Sequence, residues 1–337
     1  MLFLVFVGDY SLEKIADSNV LITGGAGFIG SHLAETLLRQ ECKVTVIDNF
    51  DHYYDPEIKW KNIEKIRNSS KFSFLKGSIL DPESLLSVMR DVDVVFHLAA
   101  RPGVRASVEN PFLTANINID GTLQVLENAR KLDVEKLVVA SSSSVYGNAK
   151  YRPTDEACPL NPISPYGVSK VATEIYCYTY YRLYNIPLTM LRYFTVYGPR
   201  QRPDMLMHKA ISKVLRNEPP IIFGDGNQSR DFTYVDDAVQ GTILAWTSKE
   251  SVGEAFNIGG GGNITVNELL RLVIEECGKT GIVEPKHTEE ALGDVQHTQA
   301  NISKAREKLD YSPTIGVREG IKWMVEWYKA MYLSGAK

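Results

Sequence analysis

The chain has 337 residues, 44% of them apolar and 23% charged, with a formal net charge of −4. That is ordinary globular composition with apolar residues enough for a large core or two adjoining ones, and the mild negative charge argues against nucleic acid or an anionic membrane surface as the main partner. Four scattered cysteines (Cys42, Cys158, Cys177 and Cys277) show no C-x-x-C spacing and no His/Cys cluster. They read as reduced, buried small hydrophobes in a cytoplasmic setting, not as a metal or redox site.

Met1 to Val7 is apolar but short, without a basic start or a small-residue cleavage site before Asp9, so it does not read as a signal peptide. No run of about 20 apolar residues predicts a membrane-spanning helix. Residues 1–18 are read as an N-terminal extension with a short helix around Leu12–Ala16. Strands are expected at Val20–Thr23, Lys43–Asp48, Phe72–Leu75, Asp93–Leu98 and Leu137–Ala140, with helices between them, including Pro82–Arg90 and Thr114–Lys131. Strand–helix alternation predicts an α/β fold with a doubly wound parallel sheet, and apolar runs predict strands buried on both faces. Beyond about residue 190 prolines and the Gly259–Gly262 string break the pattern, until Ile321, Met324, Val325 and Tyr328 mark one face of a closing helix. The reading is a core of residues 19–190, rejoined by 231–260, and a smaller, partly interleaved α/β domain of 191–230 and 261–337.

Thr23-Gly24-Gly25-Ala26-Gly27-Phe28-Ile29-Gly30 lies between the first strand and a predicted helix. Gly24 permits a tight turn, Gly27 lets backbone approach a pyrophosphate, and Gly30 lets helix and strand close up. A pyrophosphate would rest on the N–H groups and positive dipole end of that helix. Asp48 ends the second strand 18 residues beyond Gly30, placed to accept from both ribose hydroxyls of an adenosine. Asn49 follows, where an arginine could have held a 2′-phosphate, so NAD is favoured over NADP.

Tyr166-Gly167-Val168-Ser169-Lys170 puts a phenol and an amine on one helix face. Bringing a phenol from a pKa near ~10 to ~7 needs roughly 4 kcal/mol of preferential phenolate stabilisation, which an adjacent ammonium and a nicotinium charge could supply. Ser141–Ser144 leaves the fifth strand at the carboxyl edge, where a hydroxyl could meet a reacting oxygen.

Together these segments resemble the extended short-chain dehydrogenase/reductases of the NAD-dependent epimerase/dehydratase family. The resemblance also covers His97-Leu98-Ala99-Ala100, Asn118–Thr122, Leu191–Phe194, Arg230-Asp231-Phe232 and Phe256–Gly260. It implies Tyr166 as acid/base, Lys170 on the nicotinamide ribose and lowering the Tyr166 pKa, and Ser142 as the catalytic hydroxyl. It further implies NAD contacts at Phe28, Ile29, Ile79, Leu98, Ala99, Ala100, Asn118 and Tyr193, with sugar contacts at Ser143, Ser144, Thr195 and Asp294. Arg230 resembles the diphosphate-binding arginine, and a homodimer through the helices of Thr114–Lys131 and Tyr166–Tyr184 is the family expectation. His97 reads as a strand-end residue, and His208, His287 and His297 show no metal-ligand spacing.

Dehydratases of this family carry Asp-Glu after the catalytic hydroxyl; Ser143-Ser144 stands there instead, so the reaction expected is reversible oxidation at one sugar carbon, a 4-epimerisation of a UDP-sugar. Asp48–Pro56 and Leu191–Met205 resemble the corresponding stretches of UDP-glucuronate 4-epimerases. Thr195, where galactose epimerases tend to carry Asn, and Ala291, where they usually carry arginine, lean the same way. A 4-keto uronate is a β-keto acid, and a bidentate guanidinium would hold its carboxylate in plane against loss of CO₂. Arg202 is the first candidate and Arg105 the second. UDP-glucose/galactose or UDP-N-acetylhexosamine epimerisation, UDP-glucuronate decarboxylation and a catalytically idle NAD-binding protein remain as alternatives.

Overall fold

A computed structural model describes residues 15–289 and 295–333. Residues 12–14 of the expected N-terminal helix, and Ala291 and Asp294, lie outside the described residues. Ile15 is buried in a turn, and its carbonyl accepts from Cys42 Sγ at 3.1 Å.

The strands are β1 (Asn19–Thr23), β2 (Lys43–Asp48), β3 (Phe72–Lys76), β4 (Val94–His97), β5 (Lys136–Ser142) and β6 (Leu188–Tyr193). With Ala255–Ile258 they form, among the described residues, a seven-stranded parallel sheet in the order Ala255–Ile258, β6, β5, β4, β1, β2, β3. The apolar runs divide between its two faces by the period of two. Val20, Ile22, Val44, Val46, Val94, Phe96 and Val138 enter one core cluster. Leu21, Ile47, Val95, Leu137 and Val139 enter the other. Each fully buried Leu or Ile adds about 2 kcal/mol of transfer free energy, so both faces are committed to packing.

The helix expected over Thr114–Lys131 starts earlier, at Pro111, and is interrupted by a π-turn over Asn116–Asp120 before continuing as Gly121–Lys131. Asn110 caps its start by accepting from Leu113 N at 3.0 Å. The long helix Pro165–Tyr184 begins with proline at its first position, capped by Ser164, which accepts from Gly167 N at 3.1 Å. Asn185 ends it in the left-handed conformation at φ 55°. Short strands Thr195–Tyr197 and Phe232–Tyr234 pair in parallel, and Ser229–Arg230 pairs antiparallel with Ile264–Thr265. Helices Leu206–Leu215, Val266–Glu276 and Val317–Tyr328 pack together beside them, the last burying Ile321, Met324, Val325 and Tyr328. Among the described residues no helix is long and apolar enough to cross a membrane.

Beneath the carboxyl edge lies a buried ion pair. Arg192 on β6 donates through Nε and Nη2 to both oxygens of Glu174 on the long helix, at 2.9 and 2.7 Å. Ser141 on β5 donates to the same carboxylate, and Arg192 Nη1 reaches the Tyr146 hydroxyl at 2.8 Å. Tyr146 in turn donates to Asn257 Oδ1 at 2.7 Å, extending the network to the strand Ala255–Ile258. Three strands and the long helix are thus fastened at one point. Glu174→Ala leaves the guanidinium buried without its counter-charge, and we expect a loss of about 3–5 kcal/mol, read from the midpoint of urea unfolding.

Candidate active site

A cavity of about 570 Å³ runs along the carboxyl ends of the strands, across the point where strand order reverses between β1 and β4. Open parallel sheets bind ligands at such a crevice because the loops on either side diverge there. Gly24, at φ +70°, brings the turn after β1 against the chain after β4: a Cβ there would stand 2.8 Å from Ala99 Cα. A Cβ on Gly30 would meet Gly24 O at 2.5 Å, so the first turn of the helix Phe28–Arg39 closes onto the strand only with glycine. Gly27, Phe28, Ile29, Asn49, Ile79, Leu98 and Ala100 line the same cavity.

Asp48 lines this cavity too, but is not a free acceptor. Its Oδ1 takes Lys59 Nζ and Phe50 N, both at 2.9 Å. A carboxylate this buried needs such a counter-charge. Lys59 lies one turn into the helix Pro56–Ile63, and sequence reasoning missed it because an eleven-residue separation across a loop carries no periodic signal.

At the other end β5 delivers the serines. Ser142 Oγ accepts from Ser144 N at 3.1 Å and so caps the 3₁₀ turn Ser143–Tyr146. Ser142, Ser143 and Ser144 all face the cavity, as do Tyr166 and Lys170 from the first turns of Pro165–Tyr184, and Tyr193 from the end of β6. Lys170 Nζ donates to Ala140 O at 2.8 Å and stands 6.0 Å from the centre of the Tyr166 ring. Burial brings its pKa down to about 8. Burial raises that of Tyr166, and the Ser142 hydroxyl and Arg202 guanidinium act against it. The lowering expected from Lys170 is therefore not the dominant influence on the phenol: its ammonium is turned to a backbone carbonyl, and desolvation of the ring outweighs the charges nearby. His97 is held between Thr23 Oγ1 at 2.8 Å and Thr122 Oγ1 at 3.0 Å, and burial takes it to about 3, so it is neutral.

Of the expected sugar contacts, Thr195 and Arg202 line the cavity with the serines. Other expected contacts stand elsewhere. Asn118 is spent on structure: it brackets Arg101, accepting from its N–H at 2.6 Å and donating to its carbonyl at 3.1 Å, and donates to Ser169 Oγ at 2.9 Å. Arg105 is carried off the cavity lining by the helix Val104–Glu109, its guanidinium 4.1 Å over the Phe223 ring. Arg230, also outside the lining, donates to the carbonyls of Ser229 and Gln296 at 3.0 and 3.2 Å. The guanidinium that does line the cavity beside Arg202 is Arg101, stacked 4.5 Å over the Tyr53 ring. Its signal in the sequence was slight, a single basic residue three places past the strand end. Among the described residues no cluster of His, Cys, Asp and Glu has the arrangement of a metal site.

Comparison with known proteins bears on this geometry. Residues 21–324 match the family model described as GDP-mannose 4,6 dehydratase. The chain is 40% identical over 313 residues to the UDP-glucuronate 4-epimerase of Thermodesulfobacterium geofontis, covering 92% of this chain and 95% of that one. It is similar to the crystal structure of UDP-glucuronic acid 4-epimerase from Bacillus cereus in complex with UDP-glucuronic acid and NAD, at 39% identity and TM-score 0.89, over 93% of this chain and 100% of that one. UDP-glucose 4-epimerase of Thermotoga maritima, crystallised with UDP-glucose, aligns with TM-score 0.86 at 37% identity, over 93% and 99% of the two chains. The fold agrees with these matches, and the chain belongs to the GDP-mannose 4,6 dehydratase family of extended short-chain dehydrogenase/reductases.

Proposed function

We propose that this protein is an NAD-dependent isomerase that inverts C4 of a UDP-sugar, converting UDP-glucuronate and UDP-galacturonate into one another. The observation that carries the reading is the convergence of Tyr166, Ser142, Lys170 and Arg202 on the cavity that the glycine turn also lines. Relatives named for UDP-glucuronate 4-epimerisation over more than nine tenths of the chain support it. The residues present suit NAD: Gly24, Gly27 and Gly30 of the glycine turn line the cavity, Asp48 carries a carboxylate at the end of β2, and Ile79, Leu98 and Ala99 supply apolar walls. The turn would hold the pyrophosphate, Asp48 the adenosine ribose and Lys170 the nicotinamide ribose. When bound, NAD supplies the hydride acceptor and a fixed positive charge near the phenol.

The chain's own groups then divide the work. Tyr166 as phenolate takes the proton of the C4 hydroxyl, while Ser142 donates a hydrogen bond to the same sugar oxygen. Lys170, with a pKa of about 8, is mostly ammonium at neutral pH, the form that donates to Ala140 O and would donate to the nicotinamide ribose. The 4-keto sugar turns about its diphosphate linkage so that its other face would receive the hydride back from the cofactor, while Tyr166 returns the proton to the C4 oxygen. Arg202 holds the uronate carboxylate in the plane of the ketone, denying it the perpendicular geometry that loses CO₂. The chain works as a cytoplasmic homodimer. Phe112, Val168, Ile175 and Leu183, more than half exposed on Pro111–Ala115 and Pro165–Tyr184, form the apolar face that pairs with a second copy.

Incubation of the purified protein with a panel of UDP-sugars should convert UDP-glucuronate to UDP-galacturonate without free NADH accumulating. Preferential turnover of UDP-glucose or UDP-N-acetylglucosamine would favour the neutral-sugar reading, and a pentose product with CO₂ would favour decarboxylation. Tyr166→Phe should lower kcat by about 10²–10⁴-fold while the melting curve is retained. Arg202→Ala should weaken UDP-glucuronate by roughly 10- to 100-fold, the loss expected for hydrogen bonds between charged groups, with UDP-glucose affinity much less affected. Equal losses on both sugars count against a carboxylate contact at Arg202.

A further inference from the structure

Two loops far apart in sequence meet over the sugar end of the cavity. Tyr53, from the loop after β2, donates its hydroxyl to Asp204 Oδ2 at 3.0 Å. Asp204 also accepts from Arg202 Nε at 2.9 Å and Nη2 at 3.1 Å. The Tyr53 ring carries the Arg101 guanidinium 4.5 Å from its centre and that of Arg202 at 5.8 Å. Arg101 is bound back to Asp51, on the same loop as Tyr53, at 2.5 Å. Asp51, Tyr53, Arg101 and Arg202 all line the cavity, whereas Asp204 does not. Space for the phenol is built in: Gly103 stands at φ +99°, and any Cβ there would collide with the Tyr53 hydroxyl.

We infer that Tyr53 and Asp204 are positioning residues for sugar selection, fixing the angle at which the Arg202 guanidinium meets the substrate. The inference rests on the reading above, in which Arg202 receives a uronate carboxylate. A guanidinium is a planar fork, useful for bidentate recognition only when its plane is held. A free arginine side chain samples many rotamers, so its partners decide the plane. Asp204, outside the cavity lining, takes the Nε–Nη2 edge of a guanidinium that lines the cavity, which leaves Nη1 outside that pairing. Tyr53 fixes Asp204 through its hydroxyl and supports the guanidinium faces through its ring. Burial pushes the Asp204 carboxyl upward, but Arg202 and the Tyr53 hydroxyl more than offset it, so the carboxylate stays ionised at neutral pH. Burial and Asp204 push Tyr53 up to about 12, so its hydroxyl keeps the proton that it donates.

Sugar selection is the readout that separates positioning from general support. Tyr53→Phe removes one hydroxyl and no charge. With the full-length protein, it should weaken UDP-glucuronate about tenfold, the loss of one hydrogen bond to a charged group, and change the inhibition constant of UDP-glucose less than about twofold. It should also raise the share of substrate that loses CO₂. In that side reaction the C5–C6 bond of the 4-keto uronate breaks, its electron pair passes into the enolate, and water protonates the carbon. Asp204→Asn should act in the same direction, with Asp204→Glu restoring part of the selectivity, and it takes over the test if Tyr53→Phe fails to melt cooperatively. Parallel losses on both sugars, or no change in the CO₂ fraction, would overturn the inference while leaving the epimerase reading in place. A wild-type protein that does not turn over UDP-glucuronate at all would overturn both.

Discussion

Burial of the central sheet on both faces confines everything else in this protein. Leu21, Ile22, Val95, Phe96, Val138 and Val139 are fully covered, so no functional group can rise from the middle of a strand. Chemistry is left to the strand ends, and the carboxyl edge at the order reversal is where the loops part widely enough to admit a ligand. The Glu174–Arg192 pair gives that edge its rigidity. It joins β5, β6 and the long helix, the elements that carry Ser142 and Tyr166 to the cavity, so that hydroxyl and that phenol share one support.

Electrostatics at the site run against its chemistry until the ligands arrive. Burial raises the Tyr166 phenol, and the nearest fixed ammonium is aimed at the Ala140 carbonyl. The phenolate needed for proton abstraction therefore depends on charge brought with the cofactor, together with the Ser142 hydroxyl and Arg202. This coupling suits an enzyme that must oxidise and then reduce the same carbon, because the phenol would give up its proton only once the complex is assembled. Arg202 lines the cavity and also acts on the phenol, which makes its orientation a sensitive point.

Much of this was legible along the chain. The strands are apolar and β-branched and the turns are glycine-marked, so β2 ends at Asp48 as expected from its apolar run, and the turn Gly24–Gly30 lies between strand and helix. Local patterns of this kind reflect backbone preference and burial, which depend on neighbours a few residues away. What the local pattern could not supply is a side chain's distant partner. Asn118, expected on the cofactor, has its amide held by Arg101 and Ser169. Arg105 was the second candidate for the carboxylate after Arg202, but the helix Val104–Glu109 carries it to Phe223.

The amino-acid sequence determined the parallel α/β core, the nucleotide-binding turn and the Tyr166–Lys170 pair, because periodicity, glycine content and a four-residue helical spacing act over short stretches of chain. Only the tertiary structure decided which arginines face the cavity, that Lys59 neutralises Asp48, and that Tyr53 spans 151 residues of sequence to reach Asp204. Those pairings are set by how loops pack across the sheet edge, where the energy of each contact comes from partners that no local pattern encodes.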